Sequence, residues 1–502
     1  MFNERKIGIL ISYINIFLQT LINFIYVPIL LYYIGISEYG IYQLIGSFIA
    51  YFSIMDFGLT TAVINFYTKY KVENNKIAME NLLAIAMICF LVITIFLAIL
   101  AIGIYVNLDK IFSFSMTDSE IISAKNIFLL LIFNIIITIS TMIFRAIINA
   151  HEKFLFLKGS ETIQLILQPI LVVLILQEYP TAFSVALVQT ILNICLIVAR
   201  IYYCFMKLEI KIKFHYWDKN LFHEFKKLAL SCFVVVIIDQ VFFKTNQIIL
   251  GIVEGTTSVA IYAIASLIYM NYMALSLAIS GVYLPHIVEL TTQVNGLKKI
   301  SDLFIAIGRW QYFLLAGIAS GFIIFGQQFI IFWAGKEFLD AYWITLLIII
   351  PFTIDLIQNL GLAVLQAQNK YDFRAKVYFC MGVLNLCLAI PLAKAYGGVG
   401  CAFATGLSMF IGNGLIMNWY YLKEIKLDIK TFWQNIQRIT IGVLGATCIG
   451  FVLKYFIDFK NLWIFVMSLI VYTIIYIMIM YIGFMNYDEK NKIKSIILRI
   501  KG

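Results

Sequence analysis

Ile7–Ile34 reads IGILISYINIFLQTLINFIYVPILLYYI; it follows Arg5 and Lys6 and contains no charged residue. A helix rises about 1.5 Å per residue, so roughly 20 apolar residues cross a hydrocarbon core about 30 Å thick. The run is therefore long enough to span. It exceeds the apolar region of a secretory signal, about 7–15 residues, and no small-residue cleavage site follows, so it is expected to be a retained first membrane helix. Similar runs predict helices at 9–34, 41–67, 80–106, 123–149, 159–176, 181–206, 228–250, 258–287, 305–333, 341–367, 375–393, 397–421, 437–457 and 461–485. No polar stretch between them approaches the roughly 50 residues of a soluble domain. Composition agrees: the 502 residues are 62% hydrophobic and 13% charged, against about 45–50% and about 25% in soluble domains. The expected fold is an all-α polytopic membrane protein with about 14 transmembrane helices.

Placing the basic residues in alternate loops orients these helices. One side collects 28 of them: Arg5, Lys6, the groups around Lys69–Lys76, Lys153–Lys158, Arg200–Lys227, Lys298–Lys299, Lys370–Lys376 and Lys423–Arg438, and the tail from Lys490. The other side receives five: Lys110, Lys125, Lys336, Lys394 and Lys460. Cytoplasmic loops retain Lys and Arg during insertion, so the rich side is predicted to be cytoplasmic, with both termini there. The net charge of +10 follows from this topology and does not call for nucleic acid. The eight cysteines lie in or beside apolar runs without C-x-x-C spacing, which implies neither disulfides nor metal.

The chain also matches itself. At an offset of about 220, Ile41-Tyr42 aligns with Ile261-Tyr262, each opening a helix after a short loop. Asn149–Phe154 matches Gln366–Tyr371 at offset 217, and Tyr202-Tyr203 matches Tyr420-Tyr421 at 218. The constant order predicts two six-helix repeats, with two further helices appended. The corresponding divisions are an N-lobe at 1–206, a cytoplasmic linker at 207–227, a C-lobe at 228–421, and helices 13 and 14 with a tail at 422–502. Both repeats begin on the cytoplasmic side, so they are parallel and are expected to enclose a central cavity, as in transporters that rock one lobe against the other.

An ionised side chain at mid-bilayer is unfavourable by about 2.5–3.5 kcal/mol and normally faces a cavity or a partner. The candidates are Asp56, Arg145, Asp239, Lys244 and Asp355, several of them on polar stripes of helical spacing. Helix 1 carries Ser12, Asn15, Gln19 and Asn23; helix 4 carries Asn134, Thr138, Thr141, Arg145 and Asn149. Helix 7 carries Gln240, Lys244 and Gln247, and helix 10 carries Asp355, Gln358, Asn359 and Gln366. These faces are assigned to the cavity, against the plainer reading that uncharged Asn and Gln join helices to one another. Asp239 and Lys244 point about 140° apart on a helix and need not pair. Arg309 and Lys454 lie near span ends, where they are expected to reach the interface. Arg145 and Lys244 would suit an anionic group such as a pyrophosphate, one as a planar fork and the other as a point charge.

No nucleotide-binding loop, metalloprotease motif, nucleophile elbow or Cys/His metal cluster occurs. Gly397-Gly398-Val399-Gly400 is expected to permit a tight turn and close helix packing. His151, His215, His223 and His286 are too scattered for a metal site, and His215 and His223 are expected to be solvated. No cofactor is implied, so transport energy would come from a gradient, a bound ion or the substrate itself.

Pro28–Lys69 includes Gly35-Ile36-Ser37-Glu38-Tyr39-Gly40-Ile41-Tyr42, then Asp56-Phe57-Gly58-Leu59 and Asn65-Phe66-Tyr67. It resembles the amino-terminal signature of polysaccharide-biosynthesis flippases of the O-antigen translocase type, within the multidrug/oligosaccharidyl-lipid/polysaccharide exporter superfamily. The length and the duplicated halves extend the resemblance over the whole chain. It implies translocation of an undecaprenyl-pyrophosphate-linked oligosaccharide across a bacterial inner membrane, coupled to H+ or Na+. The partners so implied are the lipid-linked sugar, the bilayer and other polysaccharide-assembly proteins. A multidrug exporter of the same superfamily is the nearest rival and should favour an acidic cavity. A membrane-embedded polymerase or glycosyltransferase is the rival from another class. It should expose a large outer loop, whereas the longest outer segment, 107–122, holds only Asp109, Asp118 and Glu120 as acidic groups.

Overall fold

A computed structural model of the chain describes residues 2–56, 58–219, 222–223, 237–280, 283–291, 293, 295–368, 370–457 and 461–501. Those residues are mostly helical and contain no strand. The helices are α1 (Phe2–Ser53), α2 (Leu59–Val72), α3 (Lys76–Phe112), α4 (Asp118–Ser140), α5 (Met142–Ala150), α6 (Phe154–Leu176) and α7 (Ala182–Tyr202). After the linker come α8 (Thr245–Val253), α9 (Thr256–Ser280), α10 (Leu284–Thr291), α11 (Gly296–Trp333), α12 (Asp340–Leu356), α13 (Leu360–Ala367) and α14 (Tyr371–Met409). The last three are α15 (Ile429–Phe456), α16 (Leu462–Ile479) and α17 (Tyr487–Lys501).

Eleven helical stretches among the described residues are long and apolar enough to cross a membrane. Two of them, Phe17–Val72 and Tyr371–Ile425, run for 56 and 55 residues, and each is broken by a glycine. Gly35 has φ 74° and Gly397 φ 57°, a left-handed conformation that costs glycine nothing and most residues about 1 kcal/mol or more. Each stretch thereby holds two of the spans predicted from sequence. At Gly400 a Cβ would lie 2.1 Å from the Leu392 carbonyl oxygen, so this glycine run does serve turning and close approach. The predicted span at 228–250 falls partly outside the described residues.

Helix starts follow local chemistry. Thr117 and Glu120 form a reciprocal capping box at α4, Asn75 accepts the Ala78 amide at α3, and Asp428 accepts the Thr431 amide at α15. Those bonds hold the Asp428 carboxyl below its ordinary pKa. The lipid-facing surface is equally plain on α3. Leu91, Val92, Ile95, Phe96, Ile99 and Ile102 share one face and are 51–63% exposed, an apolar stripe that is stable only against acyl chains.

The described residues fall into two compact units, Met1–Ala263 and Ile264–Gly502. In the first, α1 packs on α4 and α6, α7 joins α4 and α6, and α2 lies on α3 and α5. In the second, α12 packs on α14, and α11 on α12 and α15. The internal match has a counterpart in each unit. Phe156 stacks on Tyr203 with ring centroids 4.0 Å apart and planes at 14°, and Phe373 stacks on Tyr420 at 4.0 Å and 11°. Both members are displaced by 217 residues, so Tyr203 corresponds to Tyr420, one position from the pairing suggested by the Tyr-Tyr match.

Candidate functional site

The polar stripes divide into two chemistries. Most uncharged members bond neighbouring helices. Asn15 accepts from the Thr162 hydroxyl at 2.6 Å, and the Asn193 amide donates to Thr138 at 2.7 Å and also to Asn134. Ser47 donates to Gln247, which is fully buried. In the second unit Asn359 donates to Ser276 at 3.5 Å, while the Gln358 amide returns to the Ile354 carbonyl at 2.9 Å. Gln19 and Gln366 are exposed, and Asn23 and Gln240 half-buried. Asp56 accepts both the amide and the hydroxyl of Thr60, at 3.2 and 2.7 Å, and so fastens the first turn of α2. Lys244 interrupts its helix, and among the described residues it makes no salt bridge. Asp239, five positions earlier, is half-buried.

Arg145 belongs to a charged cluster instead. Its Nη2 donates to Glu161 Oε1 at 3.0 Å, Arg200 Nη2 donates to the same oxygen at 3.1 Å, and Lys158 Nζ meets Oε2 at 3.0 Å. Three cations thus surround one carboxylate, and the charge of Arg145 also acts on Asp56. Glu161 lies seven residues into the membrane-length helix Phe154–Leu176, and Arg200 seven residues before the end of Ala182–Lys207. Each is about 10 Å inside its helix end. A void of about 30 Å³ adjoins the cluster, bordered by Thr138, Thr141, Met142, Ile197 and the two arginines.

The second unit has its own pair, Asp355 Oδ1 with Arg374 Nη1 at 3.9 Å. Arg309 departs from its expected course to the interface. It is 4% exposed and donates twice to Glu489, at 2.7 and 2.9 Å. It donates also to Asn435 Oδ1 at 2.9 Å and the Phe484 carbonyl at 3.0 Å. Lys454 donates to the Ile324 carbonyl at 2.8 Å. His215, expected to be solvated, pairs with Glu80 at 3.0 Å, and its amide donates to Asn81 at 2.9 Å.

Two further polar groups lie at opposite ends of the first unit. Glu120 Oε1 accepts from Ser37 at 2.5 Å and Thr256 at 2.7 Å, while Glu38 accepts from Ser123 and from the Ala182 amide. At the other end His151 lies between Lys71 Nζ, 3.2 Å from Nδ1, and the Tyr67 hydroxyl, 3.1 Å from Nε2. Burial, then the charges of Lys71 and Lys153, lower the His151 pKa to about 4.

Sequence reasoning passed over Glu161 and Glu489, and counted Arg200, Lys158 and Arg374 as loop charges. A signal was present for the first: Glu161 is the one acidic residue of the apolar run 159–176.

A model of the family described as polysaccharide biosynthesis protein matches residues 6–291. The chain belongs to that family. Among curated proteins no significant match is found. Among solved structures the chain resembles the lipid II flippase MurJ in an inward closed conformation, with TM-score 0.74, 19% identity and coverage of 94% of this chain and 98% of that one. It also resembles an inward-facing multidrug resistance MATE transporter of the MOP superfamily, with TM-score 0.61, 12% identity, and 83% and 96% coverage. The MATE multidrug transporter DinF-BH matches with TM-score 0.54, 16% identity, and 84% and 95% coverage. At these identities the likeness is one of fold, and the fold of this family member is that of the flippases and exporters of the MOP superfamily.

Proposed function

We propose that the protein is a flippase that carries an undecaprenyl-pyrophosphate-linked oligosaccharide, an O-antigen, capsule or exopolysaccharide repeat unit, from the cytoplasmic to the outer face of a bacterial inner membrane. It works by alternating access, coupled to H+ or Na+, with both termini cytoplasmic. The observation that carries the reading is the excess of cationic groups at Arg145, Arg200 and Lys158 over the single carboxylate Glu161, in a member of a polysaccharide-biosynthesis family.

The chemistry follows from charge. Guanidinium groups within a membrane-length helix bundle are strongly unfavourable unless matched by anions. A diphosphate offers several oxygens in the planar, two-point geometry that Arg recognises, while Lys contributes a mobile point charge. Lys244 is a second receiving group in this scheme, and Asp56, Asp239 and Asp355, with Gln19, Asn23, Gln240, Gln247, Gln358 and Asn359, are the surrounding polar candidates. The lipid tail stays in the bilayer while the headgroup crosses. The flippase itself makes or breaks no covalent bond in this scheme.

Deleting the protein in its host should leave lipid-linked repeat units on the cytoplasmic leaflet, and the combined Arg145→Ala and Lys244→Ala variant should fail to restore transport. Units that reach the outer leaflet in the deletion strain would overturn the proposal. The fold shared with MATE transporters supports multidrug export as a second reading. Energy-dependent efflux of a cationic dye by the reconstituted protein would favour it.

A further inference from the structure

Glu161 is surrounded to an extent that a structural ion pair does not need. Its Oε1 receives two guanidinium groups and its Oε2 an ammonium, so the four side chains sum to a charge of about +2 when all are ionised. Repulsion among three cations held round one carboxylate is not fully cancelled by it, and a more highly charged anion would match the set better. The arginines are not saturated. Arg200 Nε is buried without a hydrogen-bond partner among the described residues, and the Arg145 side chain is 43% exposed, against 12% for Arg200. The cluster is therefore open on the Arg145 side and closed on the Arg200 side. The void behind it, about 30 Å³, has room for a water molecule or two. An anion that engages both arginines must approach past Arg145 and take the position that the carboxylate occupies.

We propose that Glu161 is a built-in stand-in for the cargo's phosphate: it holds Arg145, Arg200 and Lys158 together when no cargo is present, and the diphosphate of the cargo displaces it. This rests on the flippase reading above, and adds how the headgroup is both captured and let go. The carboxylate is tethered, so it competes with the diphosphate at high effective concentration. It weakens binding and, in exchange, keeps the arginines from being stranded as the cargo leaves. Glu161 is thus a positioning residue that sets affinity against release, and binding energy held back in this way favours turnover over capture.

The test uses the full-length protein in nanodiscs, with inorganic pyrophosphate and farnesyl diphosphate as probes and a thermal-shift measurement as a fold check. Glu161→Gln keeps the shape and removes the competing charge. It should bind both probes roughly tenfold more tightly, the equivalent of about 1.4 kcal/mol, while slowing outward delivery of lipid-linked units in cells. Arg200→Ala should weaken binding, and Glu161→Gln combined with Arg145→Ala should lose the gain. If Glu161→Gln fails to fold, Glu161→Asp decides: its shorter carboxylate should compete less well and bind the probes several-fold more tightly. Binding that is unchanged or weaker in the variant that folds overturns the proposal, because a purely structural carboxylate predicts that outcome. The two readings fail separately. Tighter pyrophosphate binding in a protein whose deletion traps no lipid-linked units would retain the exchange and refute the cargo; trapped units without tighter binding would do the reverse.

Discussion

Replacing Glu489 by Ala should unlock the start of α17 from α11. The pair it forms with Arg309 is deeply buried, with side chains 5% and 6% exposed. In the variant the guanidinium would keep, among the described residues, two neutral acceptors, Asn435 Oδ1 and the Phe484 carbonyl. Breaking a buried pair from one side costs about 3–5 kcal/mol, because a desolvated charge is left without its partner. That is roughly a hundredfold or more in the equilibrium between docked and released states. The two ends are not equivalent. Glu489 Oε2 also accepts the Asn486 amide at 2.8 Å, and the Glu489 amide donates to Asn486 Oδ1 at 2.9 Å, which is a capping box for α17. Arg309→Ala leaves that box intact, so it should cost less than Glu489→Ala. The double variant should cost less than the sum of the two. Thermal unfolding in detergent, read by size-exclusion of the four proteins of the cycle, supplies the comparison. Single variants that each shift stability by no more than an exposed ion pair would, about 0.2–1 kcal/mol, would refute the argument that burial makes this contact strong.

Gly40→Ala should be severe, since its Cβ would fall 2.0 Å from the Thr256 carbonyl oxygen; a variant of wild-type yield and thermal stability would contradict that packing. Phe156→Ala and Phe373→Ala remove equivalent stacks, each worth about 0.5–1.5 kcal/mol beyond area burial, so their losses in unfolding experiments should agree within about 0.5 kcal/mol. His151 has a pKa depressed to about 4 against about 6.5 in an unfolded chain. The unfolded state therefore binds the proton first as pH falls. The His151 turn should be fully stable above about pH 6.5 and weaken as pH drops toward about 4. Hydrogen exchange over residues 148–154 measures this, and His151→Gln should flatten the dependence.

The sequence carried what is local and periodic. Apolar runs disclosed the membrane helices, the glycine cluster at 397–400 foretold the bend, and the repeat showed itself through a handful of residues, including the tyrosines whose stacking fixes the offset. Helical spacing also marked the polar faces, but a period states which residues share a face and not what that face meets. Asn15, Asn134 and Gln247 turned out to bond Thr162, Asn193 and Ser47. The charged pairs were less legible still. Arg145 and Glu161 are 16 residues apart, and Arg309 and Glu489 are separated by 180. Such partners are chosen by how helices pack, which composition and spacing do not encode, so Arg309 looked like an interfacial cation although its carboxylate waits inside.

The length of two helices has a mechanical consequence. Lys76–Phe112 and Gly296–Trp333 contain 37 and 38 residues, about 55 Å each, in a hydrocarbon slab about 30 Å thick. Even strongly tilted, such rods project beyond the acyl chains, and each begins in lysines, Lys76 on one and Lys298 and Lys299 on the other. Each lysine close to an anionic leaflet is drawn to it by about 1 kcal/mol. The protein should therefore be sensitive to acidic phospholipid as well as to bilayer thickness, and reconstitution in purely zwitterionic lipid would leave these two stalks without their moorings.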